Sequence, residues 1–354
     1  MAWPGPEPSR TTPGGPGARR CCAGSGASRP GRSPAPCPSA GPGPGSTSPA
    51  WLGRPTPRAP PGSHASQRRT WWCSPARVPC TTARAGVERI AHLVQLAAAG
   101  GTPVVAVGQG IGPIADPAVA ATAKAALDHL SGLGVRERWG SVPTLAALGV
   151  AADRWAVTGD DALQVAIDAP RSASARRGLG VSLRANRASA APERLPELVA
   201  GAIGAALPGT PLELLTMMES ASVSDRALLE RVRPAGEPER STSELDVPAA
   251  LAAIDRCRLV VTGTYHAAVF ALGLGIPVIG LAGSDYYRQK LHGALEEFGP
   301  SAGVVLDARS PLLADELADA LRTWWGRAPE VGPELEAAAR RQAGAAAAYF
   351  ADHA

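Results

Sequence analysis

Residues 1–85 contain no lysine, isoleucine or phenylalanine, and their large aliphatic side chains are limited to Leu52 and Val78. A segment so poor in apolar bulk cannot bury enough surface to offset its chain entropy, so disorder is expected up to residue 85. No apolar run anywhere in the chain reaches the roughly 18 residues of a membrane-spanning helix. No leader peptide is visible: Arg19-Arg20 is followed by CCAGSGASRPG where a twin-arginine signal requires an apolar run. Five of the six cysteines (Cys21, Cys22, Cys37, Cys73 and Cys80) lie in this segment without metal-site spacing to histidine, and His64 stands alone. Beyond it Cys257 is the one cysteine, which points to a reducing cytoplasm.

The segment is rich in 18 of the 35 prolines and in eleven arginines, against a single acid, Glu7, for a balance of +10. The remaining 269 residues hold 24 basic and 30 acidic side chains, a balance of −6. The overall +4 therefore averages two unlike segments. The arginines are scattered among Pro, Gly and Ser without a helical period, which argues against a nucleic-acid-binding arm. Heavy Arg, Pro, Gly, Ala, Ser, Trp and Cys is what an out-of-frame reading of a GC-rich gene yields. Residues 1–85 are accordingly expected not to be the gene's native reading.

From Gly86 the pattern becomes alternating helix and strand. GVERIAHLVQLAAAGG has apolar residues near helical spacing and a Gly100-Gly101 stop. TPVVAVGQGIG carries the short β-branched run of a buried parallel strand. The helix of DPAVAATAKAALDHLSGLG (116–134) starts on Asp116-Pro117, and SVPTLAALGV, RWAVTG and DDALQVAID read as helix, strand and helix. DAPRSASARRG (168–178) is the expected boundary between an incomplete first lobe (86–170) and a second lobe (171–354). The second lobe alternates strands LGVSLR, PLELLTMM, RLVVTG, PVIGLA and AGVVLDA with helices, interrupted by a polar loop at 233–246. It ends in a helix over LLADELADALRTWW and a separate tail helix over ELEAAARRQAGAAAAYF. Short strands separated by longer helices mean βαβ units and parallel sheets, so the fold class is α/β with two open parallel-sheet lobes. Ligands of such sheets bind beyond the carboxyl ends of the strands.

Those ends hold the candidate residues. Gly263-Thr264-Tyr265-His266 closes the strand RLVVTG and opens an Ala-rich helix, whose free N–H groups attract an anion. His266 titrates near neutrality and can exchange a proton there. By position alone, a histidine packed under the sheet is the more ordinary reading. In the first lobe, VVAVGQGIGP places Gln109, Gly110 and Gly112 at a strand end, where a plain turn is an even alternative. Gln109 and Pro113 break the dinucleotide fingerprint. In TGDDA, Asp160 and Asp161 cap a helix or face a ligand. Arg184 ends GVSLR, where a cation suits phosphate or carboxylate.

TGTYHAAVFALGLGIPVIGL followed by SDYYRQKLHGALEEFG resembles the C-terminal signature of the polysaccharide pyruvyl transferases. GQGIGP, VRERWGSVPTLAALGV (135–150) and TGDDAL occur in the same order in that family, so the resemblance covers roughly 86–325. It implies two lobes similar to the glycosyltransferase-B architecture. It also implies transfer of a pyruvyl group from phosphoenolpyruvate, as co-substrate and without cofactor or metal, to a sugar of a cell-surface polysaccharide, giving a pyruvate ketal. The acceptor would be a glycan or lipid-linked saccharide, met in the cytoplasm at the inner face of the membrane, by a monomer or homo-oligomer. By resemblance His266 is the acid/base residue, and Arg184, Thr264, Tyr265 and Lys290 bind the donor. Gln109, Gly110, Gly112 and Asp160 then line the acceptor side or cleft.

Two departures stand out. Thr264 occupies a place where many members carry arginine, leaving Arg288 or Lys290 to supply the charge. The family's N-terminal strand and glycine-rich turn have no counterpart in 1–85, and TWWCSPARVPCTTARA is expected to supply neither. Two alternatives remain open: a nucleotide-sugar glycosyltransferase of similar fold, with His266 and Arg184 on the diphosphate, and a non-catalytic glycan-binding paralogue.

Overall fold

The computed structural model describes residues 71–72, 84–184, 191–220, 223–233 and 246–353. The disorder expected over 1–85, the cysteines there and most of the polar loop at 233–246 lie outside the described residues.

The first lobe runs β1 (Trp71–Trp72), α1 (Arg84–Ala99), β2 (Val104–Gln109), α2 (Pro117–Asp128), β3 (Gly132–Val135), α3 (Arg138–Ala147), β4 (Trp155–Val157) and α4 (Ala162–Ile167). Its strands form one parallel sheet in the order β1-β2-β3-β4. β2 is buried along its whole length, as its VVAVGQ sequence requires. Asp116 caps α2 by accepting from the N–H groups of Ala118 and Val119, with Pro117 in the first turn.

Two expectations are corrected here. Trp71-Trp72, in a segment expected to supply no strand, pairs in parallel with Val104-Val105. Strand pairing is a backbone property, and the edge of β2 accepts any extended chain that satisfies its N–H and C=O groups. Residues 129–134, read as a helix end, instead hold β3. Its sequence, GLGV, is weak in β-branched residues for a steric reason. A Cβ on Gly134 would meet the Thr158 side chain, and one on Gly132 would meet the ring of His353. Close neighbours, not backbone propensity, chose those residues.

The second lobe runs β5 (Gly178–Ser182), α5 (Leu195–Ala206), β6 (Leu212–Leu214), the hairpin β7 (Glu219–Ser220) and β8 (Val223–Ser224), α6 (Asp225–Glu230), α7 (Val247–Asp255), β9 (Cys257–Thr262), α8 (Tyr265–Gly273), β10 (Val278–Ala282), α9 (Asp285–Glu296), β11 (Gly303–Asp307) and α10 (Leu313–His353). Its five main strands are parallel in the order β11-β10-β9-β5-β6. Along β9, Leu259 and Val261 join a core with α5 and the start of α10, while Val260 joins the opposite core with α8 and α9. That alternation is the two-residue period of a strand buried on both faces. α8 is apolar almost all round and buried from Ala267 to Gly273, as a helix between two layers must be.

The linker 168–178 is tied to the second lobe. The N–H of Ser172 and the guanidinium of Arg176 both donate to the buried Asp255 carboxylate, at 2.6 and 2.8 Å. The two C-terminal helices expected from the sequence are one helix of 41 residues that continues through Pro329 and Pro333. Nor does this helix belong to the second lobe alone. Its Tyr349 hydroxyl accepts from the N–H of Leu133 on β3 at 2.9 Å, and His353 packs on Gly132. The intervening Val331, Leu335, Ala338 and Ala339 are buried, so apolar contact holds the helix together across prolines that each remove a backbone donor.

Candidate functional site

In the second sheet the chain order reverses between β5 and β9, which are neighbours with Ser182 opposite Thr262. Helices on the two sides of such a reversal leave a crevice at the carboxyl ends of the strands. Arg184 follows β5 and Gly263-Thr264 follows β9 at that point. Even the absent Cβ of Gly263 would lie 3.6 Å from the Arg184 nitrogen.

Thr264 holds the N-cap position of α8 but makes no side-chain cap. Its hydroxyl is buried against the hydroxyls of Ser182 and Thr262, each 3.0 Å away, and its N–H donates to Thr262 Oγ1 at 2.8 Å. Thr264 therefore shapes the turn and does not present its hydroxyl to a ligand. Thr264 thus leaves the first-turn N–H groups of α8 without a side-chain acceptor, and such groups favour an anion. His266 stands on this first turn with an exposed side chain, edge-on to Tyr265 at 5.5 Å and tilted against Phe270 at 6.2 Å. It is not the packed core histidine that position alone favours.

The first lobe meets this point directly. Tyr265 is buried, and its hydroxyl donates to Asp160 Oδ2 at 2.9 Å; Asp160 Oδ1 caps α4 through the N–H of Ala162. The guanidinium of Arg136, the residue after β3, lies 3.9 Å from the centre of the Tyr265 ring, a cation–π stack. Its Nη1 is 3.7 Å from Asp160 Oδ2. On α9, the Lys290 ammonium sits 4.3 Å from the Tyr286 ring centre and 5.9 Å from that of Tyr265.

Electrostatics follow from this crowding. Burial, then the cations Arg136 and Arg184, pull Lys290 down to about 7. His266 is held below its ordinary value although its ring edge reaches solvent. The cleft walls exclude water and Arg136, Lys290 and Arg184 disfavour a further cation, while Asp160 opposes them. Its imidazole is neutral at pH 7. Burial and the neighbouring Asp160 carboxylate push Asp161 up to about 7, so the adjacent acids hold less negative charge than their number suggests. Lys290 and His266, whose charged forms are disfavoured beside Arg136 and Arg184, would gain from an incoming anion.

Of the residues expected in the site, His266, Tyr265, Lys290 and Asp160 converge, with Arg184 beside them at the switch point. Arg184 also faces the buried Asp225, at 3.4 Å. Three do not present side chains to the cleft. Gln109 is buried and its amide donates to the carbonyl of Val107 at 2.9 Å, while Thr264 points inward. Gly112 takes a φ of +91° and its Cα faces Thr144 of α3. Gly110 faces Arg136 instead. Arg288, one of two candidates for the charge absent at Thr264, pairs with Asp307 at 2.7 Å at the end of β11. Arg136 itself was not anticipated, because the strand that delivers it was read as a helix end. The cation in VRERW, just after a glycine-rich apolar stretch, was the available signal.

Among the described residues no group of three or more His, Cys, Asp or Glu side chains is placed to hold a metal ion, and no helix is long and apolar enough to cross a membrane. Two described cavities lie away from the cleft: an apolar one of about 50 Å³ under α1 and α2, and an open one of about 350 Å³ between α5 and α10.

Two parallel sheets meeting at a cationic, histidine-bearing crevice define an α/β protein with a cleft at the carboxyl ends of its strands. The chain belongs to the polysaccharide pyruvyl transferase family, whose sequence model matches residues 85–285. No curated protein matches the chain. Solved structures similar to it include the UDP-GlcNAc 2-epimerase from Methanocaldococcus jannaschii, at 12% identity over 71% of this chain and 73% of that one, TM-score 0.49. They also include MnaA of S. aureus in complex with UDP, at 13% identity over 76% and 79%, TM-score 0.48. The glycotransferase of kitacinnamycin is similar at 16% identity over 75% and 73%, TM-score 0.44.

Proposed function

We propose that the protein transfers a pyruvyl group from phosphoenolpyruvate to a glycan or lipid-linked saccharide of a cell-surface polysaccharide. The observation that carries this reading is the exposed His266 on the uncapped first turn of α8, set among Arg184, Lys290 and Arg136. The donor carries a phosphate and a carboxylate. Arg184, Lys290 and the α8 N–H groups suit these as charge-assisted partners.

In the proposed reaction a sugar hydroxyl adds to C2 of the donor as a proton is delivered to its methylene carbon, which becomes a methyl group. The C2–O bond to phosphate then breaks, phosphate leaves with the electron pair, and a second sugar hydroxyl closes the ketal, losing its proton. The neutral imidazole of His266 accepts a hydroxyl proton. The bound anion raises its pKa, so the imidazolium can give a proton to the methylene carbon. Asp160 holds Tyr265, and through it the turn that carries His266. The reaction takes place where the saccharide is assembled, at the cytoplasmic face of the membrane.

Thermal unfolding of the intact protein tests the donor. Phosphoenolpyruvate at 100 times its Kd stabilises by about 2.7 kcal/mol, which raises the melting temperature by several degrees, while UDP-sugars leave it unchanged. A rise with UDP-sugars and none with phosphoenolpyruvate would favour a nucleotide-sugar glycosyltransferase.

A further inference from the structure

Trp139, in the first turn of α3, is the one aromatic among the exposed large apolar side chains of the described residues, and it is 49% exposed. Its indole lies flat on the imidazole of His292 on α9, with ring centres 5.1 Å apart and planes 18° from parallel. Burial and the neighbouring Arg288 hold His292 below its ordinary value, so this backing ring is neutral at pH 7. The stack joins the two lobes, and the chain on either side of Trp139 is held in place. Glu137 caps α3 by accepting from the N–H of Gly140 at 2.7 Å and from the Ser141 hydroxyl at 2.6 Å. The N–H and the guanidinium of Arg138 both donate to Glu297, just after α9, at 2.9 and 2.6 Å. A Cβ on Gly140 would lie 3.0 Å from the Gln289 side chain, so α3 and α9 are in close contact here. An indole held in this way presents flat, rigid area with little rotamer entropy left to lose on binding.

The stack also lies beside the cleft. Trp139 follows Arg136 by three residues, so their Cα atoms are at most about 11 Å apart. His292 follows Lys290 by two residues on α9. We propose that the ring face of Trp139 turned away from His292 is an acceptor subsite, on which one pyranose ring of the polysaccharide lies while a neighbouring sugar occupies the cleft. One face of a pyranose is made of C–H groups and packs on an aromatic ring. The hydroxyls at its edge suit donors such as the exposed Arg138 guanidinium and the indole N–H. This subsite rests on the reading of a polysaccharide as acceptor and deepens it: a polymer is preferred to a single sugar, because only a polymer spans both places.

The test compares intact wild-type protein with three variants. Polysaccharide affinity is read from retardation in gels containing a cell-surface polysaccharide stripped of its ketals, and donor affinity from calorimetric titration of phosphoenolpyruvate. Trp139→Ala and Trp139→Gln both remove the ring, so either decides if the other does not fold. They are expected to weaken polysaccharide binding by about tenfold or more. Trp139→Phe keeps a smaller ring and is expected to weaken it by less than about threefold. All three are expected to bind phosphoenolpyruvate within about twofold of wild type. Unchanged polysaccharide affinity in the ringless variants overturns the subsite while leaving the acceptor reading standing. An equal loss of phosphoenolpyruvate binding does the same, since it would mean that the lobe junction had given way. A wild-type dimer that the ringless variants dissolve, with polysaccharide binding unaffected, gives the face to a second copy of the chain and also overturns the subsite. A wild-type protein that does not bind the polysaccharide overturns both.

Discussion

On the proposed reading of the donor, Lys290 makes binding depend on pH, with a sign that follows from its surroundings. In the free protein its pKa lies at about 7, because burial and the cations Arg136 and Arg184 disfavour its charge, against an ordinary 10.5. The donor, a phosphate dianion plus a carboxylate, favours the charged form when bound among the three cations and returns the pKa toward its ordinary value. Between those limits the complex holds a proton that the free protein lacks. Affinity therefore falls by up to tenfold for each pH unit above 7, and by at most about 50-fold from pH 7 to pH 9, because the free lysine is already half deprotonated at pH 7. The donor phosphate does not confuse the slope, since phosphomonoesters lose their second proton near about pH 6. Calorimetry at pH 8 in buffers of different ionisation enthalpy should register close to one proton taken up. Lys290→Arg should flatten the pH profile with binding retained, and Lys290→Met should flatten it with binding weakened. Equal wild-type affinity at pH 7 and pH 9 would refute the reasoning. The same shift acts on folding. The unfolded chain holds the lysine proton between pH 7 and 10.5 and the folded chain does not, so unliganded stability rises with pH across that window. Lys290→Met should accordingly raise the melting temperature at pH 7 while it harms binding, a trade common at functional sites.

Other residues give separate predictions. His266→Gln should abolish transfer yet leave the melting temperature within about 2 °C, because the exposed ring makes only edge contacts; unfolding of this variant would restore a packing role. Tyr265→Phe strands a buried oxygen of Asp160 and should cost about 1–3 kcal/mol in denaturant unfolding, whereas no loss would mean the lobe-to-lobe hydrogen bond is not made in solution. Tyr349→Phe removes the acceptor for the N–H of Leu133 on the strand leading to Arg136. It should cost about 1 kcal/mol and weaken donor binding modestly, and donor affinity identical to wild type would show that the tail helix does not position β3.

Much of the fold was legible because most of its strands are buried along their length; the edge strand β11 is half-buried. VVAV, RLVV and PVIGL are short apolar runs between turn signals, which the sheet interiors require, and AGVVL has the same pattern at the sheet edge. The strand end and helix start around His266 were legible in TGTYH, but the missing cap was not, because Thr264 is an ordinary capping residue whose hydroxyl turns instead to Ser182 and Thr262. What could not be read were features imposed by distant neighbours. β3 carries glycines because Thr158 and His353 abut it, and that disguise hid Arg136. Thr264 and Gln109 were expected to face a ligand but found nearer partners, in Ser182 and Thr262 and in the Val107 carbonyl. The tail helix passes through two prolines because apolar contact on both lobes outweighs the local signal to stop.

The proposed chemistry itself is tested by transfer. A cell-surface polysaccharide stripped of its ketals by mild acid is incubated with phosphoenolpyruvate labelled in its carbons, with UDP-sugars as alternative donors and His266→Gln as control. The account predicts acid-labile label in the polysaccharide and one phosphate released per pyruvyl group, by wild-type protein and not by the variant. Incorporation of the sugar from a UDP-sugar, with the phosphoenolpyruvate label left in solution, would contradict it.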